Sequence, residues 1–247
     1  PLHVQYWRFI SRAVQGDFGR SLRQHEPALK LVWDRLPMTV ILSISALSFS
    51  ILIALPVGIL SAVKRNSFYD RFTMIIVLLG QSMPNFWLGI MTILIFGVML
   101  RWIPISGIGS WRHFIGPTIT LGFFPMAQNV RLIRSSVLEV LSQDYIRTAR
   151  SKGLKEYTVI MGHALPNALI AVITVIGMQF GFFLGGAVIT ETVFAWPGVG
   201  RLMVQAIYGR DFPLIQTGVI LLAVCFVVIN VMVDILYAYL DPRIRLS

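Results

Sequence analysis

Charged residues and cysteine are both scarce in this chain of 247 residues. Only 13% of the residues are charged, whereas 56% are hydrophobic. This charged share is about half of that in an ordinary soluble domain. The single cysteine, Cys225, excludes an internal disulfide framework and a thiolate metal site built from this sequence. We expect Cys225 to be a small residue within an apolar segment.

Motifs for catalysis and nucleotide binding are missing as well. The sequence has no Gly-x-x-x-x-Gly-Lys-Ser/Thr segment, so the chain does not bind ATP in that manner by itself. No two of its four histidines stand at the spacing of metal ligands. Asp234 is the acid nearest to a predicted membrane interior. It is either a proton-relay residue or an interfacial acid near Arg243 and Arg245.

Long uncharged runs dominate the rest of the sequence. Four of them exceed the ~18 to 20 residues that a helix needs to cross a bilayer. A fifth continues past Arg131 and Arg134 if these face protein or snorkel to the headgroups. Runs this long and apolar on all sides fit neither a water-soluble fold nor a membrane barrel. We predict an all-α membrane protein with five spans, at residues 37–63, 72–100, 114–130, 164–190 and 212–233.

The distribution of lysine and arginine predicts how the spans are oriented. The connections at residues 64–71, 131–155 and 243–245 are rich in these residues, whereas those at 101–112 and 201–210 hold few. We therefore place residues 144–162 and the C-terminus in the cytoplasm. The basic inner loops and the basic residues at 1–36 account for the net charge of +10. Without an interleaved aromatic and basic patch, this charge does not indicate nucleic-acid binding.

Residues 1–36 are predicted to form an outer amphipathic segment, ahead of a transmembrane domain at residues 37–247. Five spans and an inner C-terminus put this basic segment outside, which a further span upstream of Pro1 would explain. Leu29, Val32, Trp33 and Leu36 recur at helical spacing, which favours a helix lying at the outer interface. A helix packed on the other spans is the alternative.

A basic, polar segment at residues 144–153 interrupts the apolar runs. Its residues favour a short helix that begins near Asp144, gains basic charge toward its end and stops at Gly153. Tyr145 and Ala149 lie one turn apart, so an aromatic ring would stand beside a shallow notch. The residues alone allow two interpretations: a helix that docks into a partner, or a solvated loop that sets topology or touches anionic lipid.

Four motifs are spread in order along nearly the whole chain. They are residues 16–21 (Gly-Asp-Phe-Gly-Arg-Ser), the segment 144–166 from Asp-Tyr-Ile-Arg-Thr-Ala-Arg to Leu-Pro, residues 191–201 (Glu-Thr-Val-Phe to Gly-Arg) and residues 241–243 (Asp-Pro-Arg). Together they resemble the dipeptide, oligopeptide and nickel branch of the bacterial ABC importer permeases. Arg147 and Thr148 depart from the general Glu-Ala-Ala motif of these permeases, and this departure is usual in the peptide branch. His163 also stands where the general motif has Ile.

The resemblance implies a type I ABC importer permease fold whose sixth, N-terminal span lies outside this sequence. It implies half of a translocation path for peptides or similar solutes, which works by alternating access in the bacterial inner membrane. Implied partners are membrane lipid, a second homologous permease subunit, an extracytoplasmic substrate-binding protein, and two ATPase subunits that hold ATP and Mg. The residues expected to couple to the ATPases are Asp144, Tyr145, Arg147, Thr148, Ala149, Lys152 and Gly153.

Two further sets of residues are expected to act outside the coupling segment. The loop after the fourth span is expected to be an outer gate, or else a plain interfacial turn anchored by tryptophan; its residues are Glu191, Phe194, Trp196, Pro197, Gly198 and Gly200. Polar groups at membrane depth either bond between helices or line the path; the candidates are Gln81, Asn85, Gln128, Asn129 and Gln179. Four glycines predict a close helix contact with the second permease subunit, or else a direct contact with the solute: Gly177, Gly181, Gly185 and Gly186.

Two other classes of function fit the sequence less well. A secondary transporter or channel without ATPases predicts inverted repeats or membrane-buried charges, and neither is clear in the sequence. An intramembrane enzyme requires a Ser/Lys pair or paired Asp or His residues within the spans, which the sequence lacks. The solute stays open among peptides, nickel chelates, glutathione and sugar-derived conjugates, because a separate binding protein selects it.

Overall fold

The computed structural model describes residues 1–240, without the side chains of residues 2, 170, 171, 174, 178, 180–182, 184, 186, 234 and 236–240. Within this range the chain is helical and holds no strand, which confirms the all-α prediction. Two π-helical segments, Ile93–Met99 and Val159–Ala164, extend α4 and precede α8. The helices are α1 (Leu2–Ala13), α2 (Ala28–Val63), α3 (Phe68–Ser82), α4 (Asn85–Thr92), α5 (Arg112–Leu141), α6 (Asp144–Ser151), α7 (Glu156–Thr158), α8 (Leu165–Val193), α9 (Val199–Gly209) and α10 (Phe212–Leu240).

Helices occupy all five predicted spans. Among the described residues, α2 and the Phe212–Val233 part of α10 are long and apolar enough to cross a membrane. α5 and α8, with 30 and 29 residues, cover two more predicted spans. The remaining span, at residues 72–100, is not one straight helix. α3 and Asn85–Met99 are long and apolar enough to cross a membrane only when taken together, and the two helices are bent by 104° relative to each other.

Pro84 explains the break between α3 and α4. A proline has no N–H to continue the hydrogen bonds of α3, and it disfavours the helical conformation at the residue before it. Met83 accordingly has φ −84° and ψ 126°, in the extended region. The run predicted as one span is therefore broken into two helices at Pro84.

The predicted interfacial helix at residues 29–36 is instead the first part of α2. α2 runs without interruption from Ala28 to Val63, with Pro37 and Pro56 inside it. Val32 is 0% exposed and lies in a cluster with Leu202 of α9 and Leu214 of α10. The alternative, a helix packed on the other helices, is what the structure has. The division of the chain into domains at residue 36 stays a prediction.

α2 and α5 form the centre of the bundle and approach closely through glycine. A Cβ on Gly122 of α5 would lie 2.6 Å from the carbonyl oxygen of Ala46, and one on Gly58 of α2 would lie 2.9 Å from the side chain of Ile133. Only the absence of a side chain permits such an approach. The bundle has an α6 end, which carries α6, and an opposite α9 end, which carries α9.

A buried ion pair fastens three helices at the α6 end. Arg134 of α5 donates from Nε to Oδ1 of Asp70 at 2.6 Å and from Nη2 to Oδ2 at 2.8 Å. The Ser61 hydroxyl of α2 donates to Oδ1 as well, and the Asn66 backbone N–H donates to Oδ2 at 2.9 Å. Asp70 is only 2% exposed. Its carboxylate thus ties the end of α2 and the start of α3 to α5.

Candidate coupling helix, buried loop and polar pocket

α6 has the local geometry that its sequence predicts. It spans Asp144–Ser151, with Asp144 in the first turn and Arg150 in the last, where each charge complements the helix dipole. Gly153 follows with φ +75°, a conformation that a side chain disfavours. A Cβ on Gly153 would meet nothing within 4 Å. The glycine is therefore required by the backbone turn and not by crowding.

The two faces of α6 differ from the prediction in one respect. Ile146 is 0% exposed and Ala149 8% exposed, and both pack on Val159 and Ala164 of the same chain. Ala149 is therefore not a notch open to a partner; it seats the helix on its own bundle. The other predicted coupling residues are all exposed on the remaining surface: Asp144, Tyr145, Arg147, Thr148, Lys152 and Gly153.

An ion pair joins α6 to the segment that follows it. Arg150 donates to both carboxylate oxygens of Glu156 on α7, at 2.6 and 3.1 Å. The hydrogen bonds from Arg150 lower the pKa of Glu156. Both side chains are about half exposed, so the pair orients the turn around Gly153 and contributes little stability of its own.

Most residues of the loop at 191–200 are buried. Glu191 is 0% exposed. Its Oε1 accepts from the Thr39 hydroxyl at 2.7 Å, and its Oε2 accepts from the Arg201 backbone N–H at 3.0 Å. The Thr39 oxygen in turn accepts from the Val199 backbone N–H at 2.9 Å. One carboxylate thus joins the end of α8, the start of α9 and α2.

Close packing, and not backbone flexibility, requires glycine at positions 198 and 200. A Cβ on Gly198 would lie 2.2 Å from Oε1 of Glu191, and one on Gly200 would lie 2.6 Å from Cα of Val188. Gly198 itself has an extended backbone, with φ −95° and ψ −178°. These two glycines therefore permit close packing of the loop on Glu191 and Val188.

Trp196 and Phe194 face the interior of the bundle. Trp196 is 0% exposed, and its indole N–H donates to the Met38 carbonyl of α2 at 3.0 Å. Its ring meets Phe114 edge to face, with centroids 4.7 Å apart. Phe194 is 2% exposed, whereas Pro197 is half-buried. Trp196 is therefore not the exposed ring of an interfacial turn, and the outer gate stays a prediction.

Two of the predicted path residues bond directly to each other. Asn129 of α5 and Gln179 of α8 exchange two amide hydrogen bonds, both of 3.0 Å. Asn129 also donates to Ser50 of α2 at 3.0 Å. Interhelix bonding, one of the two alternatives for these residues, is thus present for this pair. Gln179 still borders a pocket of about 280 Å³.

The remaining polar candidates lie in different places. Gln128 borders the same pocket as Gln179. Gln81 and Asn85 flank the break between α3 and α4, and Nε2 of Gln81 is buried without a hydrogen-bond partner among the described residues. Asn230, also polar at membrane depth, donates to the Phe226 carbonyl of its own helix at 2.8 Å.

The motif at residues 16–21 is held at the α9 end by Asp211. The Ser21 hydroxyl and the Leu22 backbone N–H both donate to its carboxylate, the latter at 3.1 Å. Burial by itself raises the pKa of Asp211, but these hydrogen bonds and those from Leu214 and Arg23 outweigh it and lower the pKa. The fourth motif, at residues 241–243, lies outside the described residues, as does the side chain of Asp234.

Several residues that build these sites were missed by reasoning from the sequence. Thr39 and Ser50 are small polar residues within an apolar run and gave no warning of their partners on α8 and α5. The Asp70–Arg134 pair joins residues that are 64 positions apart. Only Ile146 had a readable signal, because Ile146 and Ala149 are apolar at a spacing of three within a polar helix.

Comparison with known proteins identifies the family. A family model described as "Binding-protein-dependent transport system inner membrane component" matches residues 54–246. The chain is 45% identical over 245 residues to the glutathione transport system permease protein GsiC of Salmonella paratyphi A, across 99% of this chain and 80% of that protein. It is 44% identical, with the same coverage, to the protein of that name in Escherichia coli K12.

Solved structures of low sequence identity share the fold. A chain of the inward-facing MetNI methionine ABC transporter has a TM-score of 0.72 and 20% identity, across 85% of this chain and 96% of that one. A chain of an amino acid ABC transporter solved with histidines has a TM-score of 0.65 and 17% identity, across 87% and 94%. Together with the family match, this likeness confirms the predicted type I ABC importer permease fold. The chain therefore belongs to the binding-protein-dependent transport system inner membrane components, the permease subunits of ABC importers.

Proposed function

We propose that this chain forms half of a translocation path for glutathione or a similar small peptide. It would pair with a second, homologous permease subunit as a heterodimer, and take solute from an extracytoplasmic binding protein. Two ATPase subunits, holding ATP and Mg, would drive alternating access. The relatives that are 44 to 45% identical are named as glutathione transport permeases, which supports this choice of solute.

The family already establishes the division of labour. A permease of this family is an inner-membrane transport subunit, and ATP hydrolysis belongs to separate ATPase subunits. The family also works with ATPase and binding-protein components. What the proposal adds is the stoichiometry, the solute, the residues of contact and the orientation. The lysine and arginine distribution supports a cytoplasmic α6 end and C-terminus.

The observation that carries the proposal is the seating of α6. Its apolar side, Ile146 and Ala149, is fixed on the bundle, while its other side presents charge and one aromatic ring to solvent. Tyr145 is 43% exposed. A helix held on one side and free on the other can enter a partner's groove and transmit a push or pull to α5 and α8. The proposed contacts to the ATPase are Asp144, Tyr145, Arg147, Thr148 and Lys152.

The 191–200 loop is proposed to act as one unit with α9. Because Glu191 joins this loop to α2 and α9, a gate at this end would move as a block and would not bend at its glycines. Gln128, Asn129 and Gln179 are proposed to lie beside the path. Gly185, with nothing within 4 Å of a Cβ built on it, leaves room for the second permease subunit against α8.

Substitution of Gly153 tests the coupling role. Gly153→Val puts a β-branched residue at φ +75°, which strains the end of α6 without a clash. We expect the assembled importer in proteoliposomes to hydrolyse ATP while uptake falls severalfold. Gly162→Val is the matched control, since Gly162 also faces open space but has no positive φ. Uptake at the full rate in Gly153→Val, or failure of the chain to copurify with ATPase subunits, would contradict the proposal.

A further inference from the structure

α5 carries a polar stripe along one face. Gln128, Arg131, Ser135 and Glu139 are spaced by three, four and four residues, so they lie on one side of the helix. The last three are exposed and Gln128 is half-buried. α5 has no exposed large hydrophobic residue along its length. Its uncovered surface is therefore polar.

Other helices expose surfaces of the opposite character. α3 exposes Phe72, Ile75 and Leu78, and α10 exposes Val227 and Met232, each at 53% or more. Such faces suit lipid chains. A stripe that holds an arginine and a glutamate does not, because ionised groups face water, protein or a counter-ion. The stripe on α5 therefore faces water or a partner protein.

A pocket opens where the stripe meets α8. Its volume is about 280 Å³, and it is lined by Gln128, Asn129, Arg131, Leu132, Ser135, Val175 and Gln179. The two amide hydrogen bonds between Asn129 and Gln179 fix the Gln179 amide at the wall. One N–H of this amide is used by Asn129, and an amide group has two. The pocket thus offers N–H donors from residues held in place.

Arg131 lacks the counter-ion that its neighbour has. Arg134, one turn along α5, is bound by both oxygens of Asp70. Arg131 has no ion pair or hydrogen bond from its side chain among the described residues. The acid on its own stripe, Glu139, is eight residues away, or about 12 Å along the helix. An unneutralised guanidinium therefore borders a pocket whose other polar groups are amides and a hydroxyl.

We propose that this pocket is a transit site for a carboxylate group of the transported solute, bound by Arg131 with the amides of Gln128 and Gln179. Arginine presents paired N–H groups that match the two oxygens of a carboxylate. The volume is below the range of pockets that bury a whole drug-sized ligand, so the site holds the acidic end of a solute. The inference rests on the proposed function, and it adds the chemical group that the path recognises.

The test uses the complete importer in proteoliposomes, with its second permease subunit, ATPases and binding protein. The two probes are glutathione and an analogue in which both carboxyl groups are primary amides. Dividing each variant's uptake by wild-type uptake of the same probe cancels the selectivity of the binding protein. We expect Arg131→Gln to lower glutathione uptake about tenfold, as for loss of a hydrogen-bonded charge, and to leave the ratio for the amide near one. Arg131→Lys retains most glutathione uptake.

Matched variants separate the site from general effects of charge and assembly. Arg65→Gln removes an exposed positive charge near the same end of the bundle, outside the pocket, and should leave the uptake of both probes unchanged. ATP hydrolysis stimulated by the binding protein reports assembly. If Arg131→Gln fails to assemble, Gln128→Glu takes its place, since a second anion in the pocket should lower glutathione uptake and spare the amide.

Each contrary outcome has its own meaning. Equal loss of both probes in Arg131→Gln, or no loss of either, overturns the site while leaving the proposed function intact. An effect of Arg131→Gln that disappears in vesicles of phosphatidylcholine alone assigns the arginine to anionic headgroups and overturns the site as well. Wild-type importer that hydrolyses ATP but takes up neither probe overturns both the proposed solute and the site.

Discussion

Glu191 occupies the space into which a side chain on Gly198 would project. The carboxylate oxygen Oε1 would lie 2.2 Å from a Cβ on Gly198, a distance at which one of the two groups must move. The same oxygen accepts the hydrogen bond from Thr39. The glycine and the glutamate of this motif are therefore parts of one contact, and the glutamate explains why residue 198 has no side chain.

Gly198→Ala should destabilise the permease, because it forces Glu191 away from Thr39. We expect a loss of about 1–3 kcal/mol, as for overpacking in a tight core, measured as a lower midpoint of thermal unfolding in detergent. Gly162→Ala is the control, since a Cβ there meets nothing within 4 Å. Unfolding midpoints that agree between the two variants would show that Glu191 relaxes without cost.

Asp70→Asn should destabilise the α6 end, because it leaves the Arg134 guanidinium without its carboxylate. Breaking a buried pair by removing one partner costs about 3–5 kcal/mol, and the partial exposure of Arg134, 23% of its side chain, places the expected loss at the lower end. A double-mutant cycle with Arg134→Gln measures the coupling.

The exposed pair Lys30–Glu26 is the control for this experiment. Lys30→Gln should not change stability measurably, because exposed ion pairs contribute little. A double variant of Asp70 and Arg134 whose loss equals the sum of the two single losses would contradict the proposed coupling.

The attachment of residues 21 and 22 to Asp211 should depend on pH. The pKa of Asp211 is lowered in the folded chain, since its hydrogen bonds from Ser21 and Leu22 outweigh the effect of burial. A lowered folded pKa contributes stability that is full above the ordinary aspartate value of about 3.9 and is lost as pH falls below it. Limited proteolysis of residues 14–27 with an acid-active protease should therefore speed up below about pH 4.

Asp211→Asn provides the comparison for this pH dependence. It should make residues 14–27 accessible to the protease at neutral pH and flatten the increase in cleavage rate at low pH. Asp34→Asn, a change at an exposed acid on α2, should leave the profile as in the wild type. If residues 14–27 of the wild type were cleaved at the same rate at all pH values, the role of Asp211 would be refuted.

Ile146→Ala and Tyr145→Ala should have separable effects on α6. Ile146 is fully buried in the chain's own cluster, so its truncation should speed hydrogen exchange of α6 in the permease alone, by loss of about 2–5 kcal/mol of local packing. Tyr145 is largely solvent-facing, so Tyr145→Ala should leave that exchange unchanged. It should reduce protection only when the ATPase is bound. The reverse pattern would exchange the roles of the two faces.

Features set by local backbone chemistry were predictable from the sequence. Gly153 ends a polar helix, and a helix end of that kind calls for a positive φ, which the structure has. Pro84 signalled an interruption in the same way. The angle of 104° was not predictable, because it depends on how α3 and α4 each pack on other helices. The helices at the five predicted spans followed from the length of the apolar runs.

Features set by distant contacts were not predictable. The motif around Glu191 was visible, but its burial depends on Thr39, a partner 152 positions away. The direction of Ala149 was predicted wrongly because an alanine fits a solvent-facing notch and a buried seat equally well. The pairing of Asn129 with Gln179 and the freedom of Arg131 likewise become clear only when α5 and α8 lie side by side.

The two prolines inside α2 each remove one hydrogen bond from this long helix. A proline has no N–H for the carbonyl four residues before it, so the helix is weakest near Pro37 and near Pro56. These points are 19 residues apart, or about 28 Å along the axis, close to the ~30 Å thickness of the hydrocarbon layer. Each end of α2 can thus tilt with its neighbours, α9 at one end and α3 at the other, while the middle stays packed on α5.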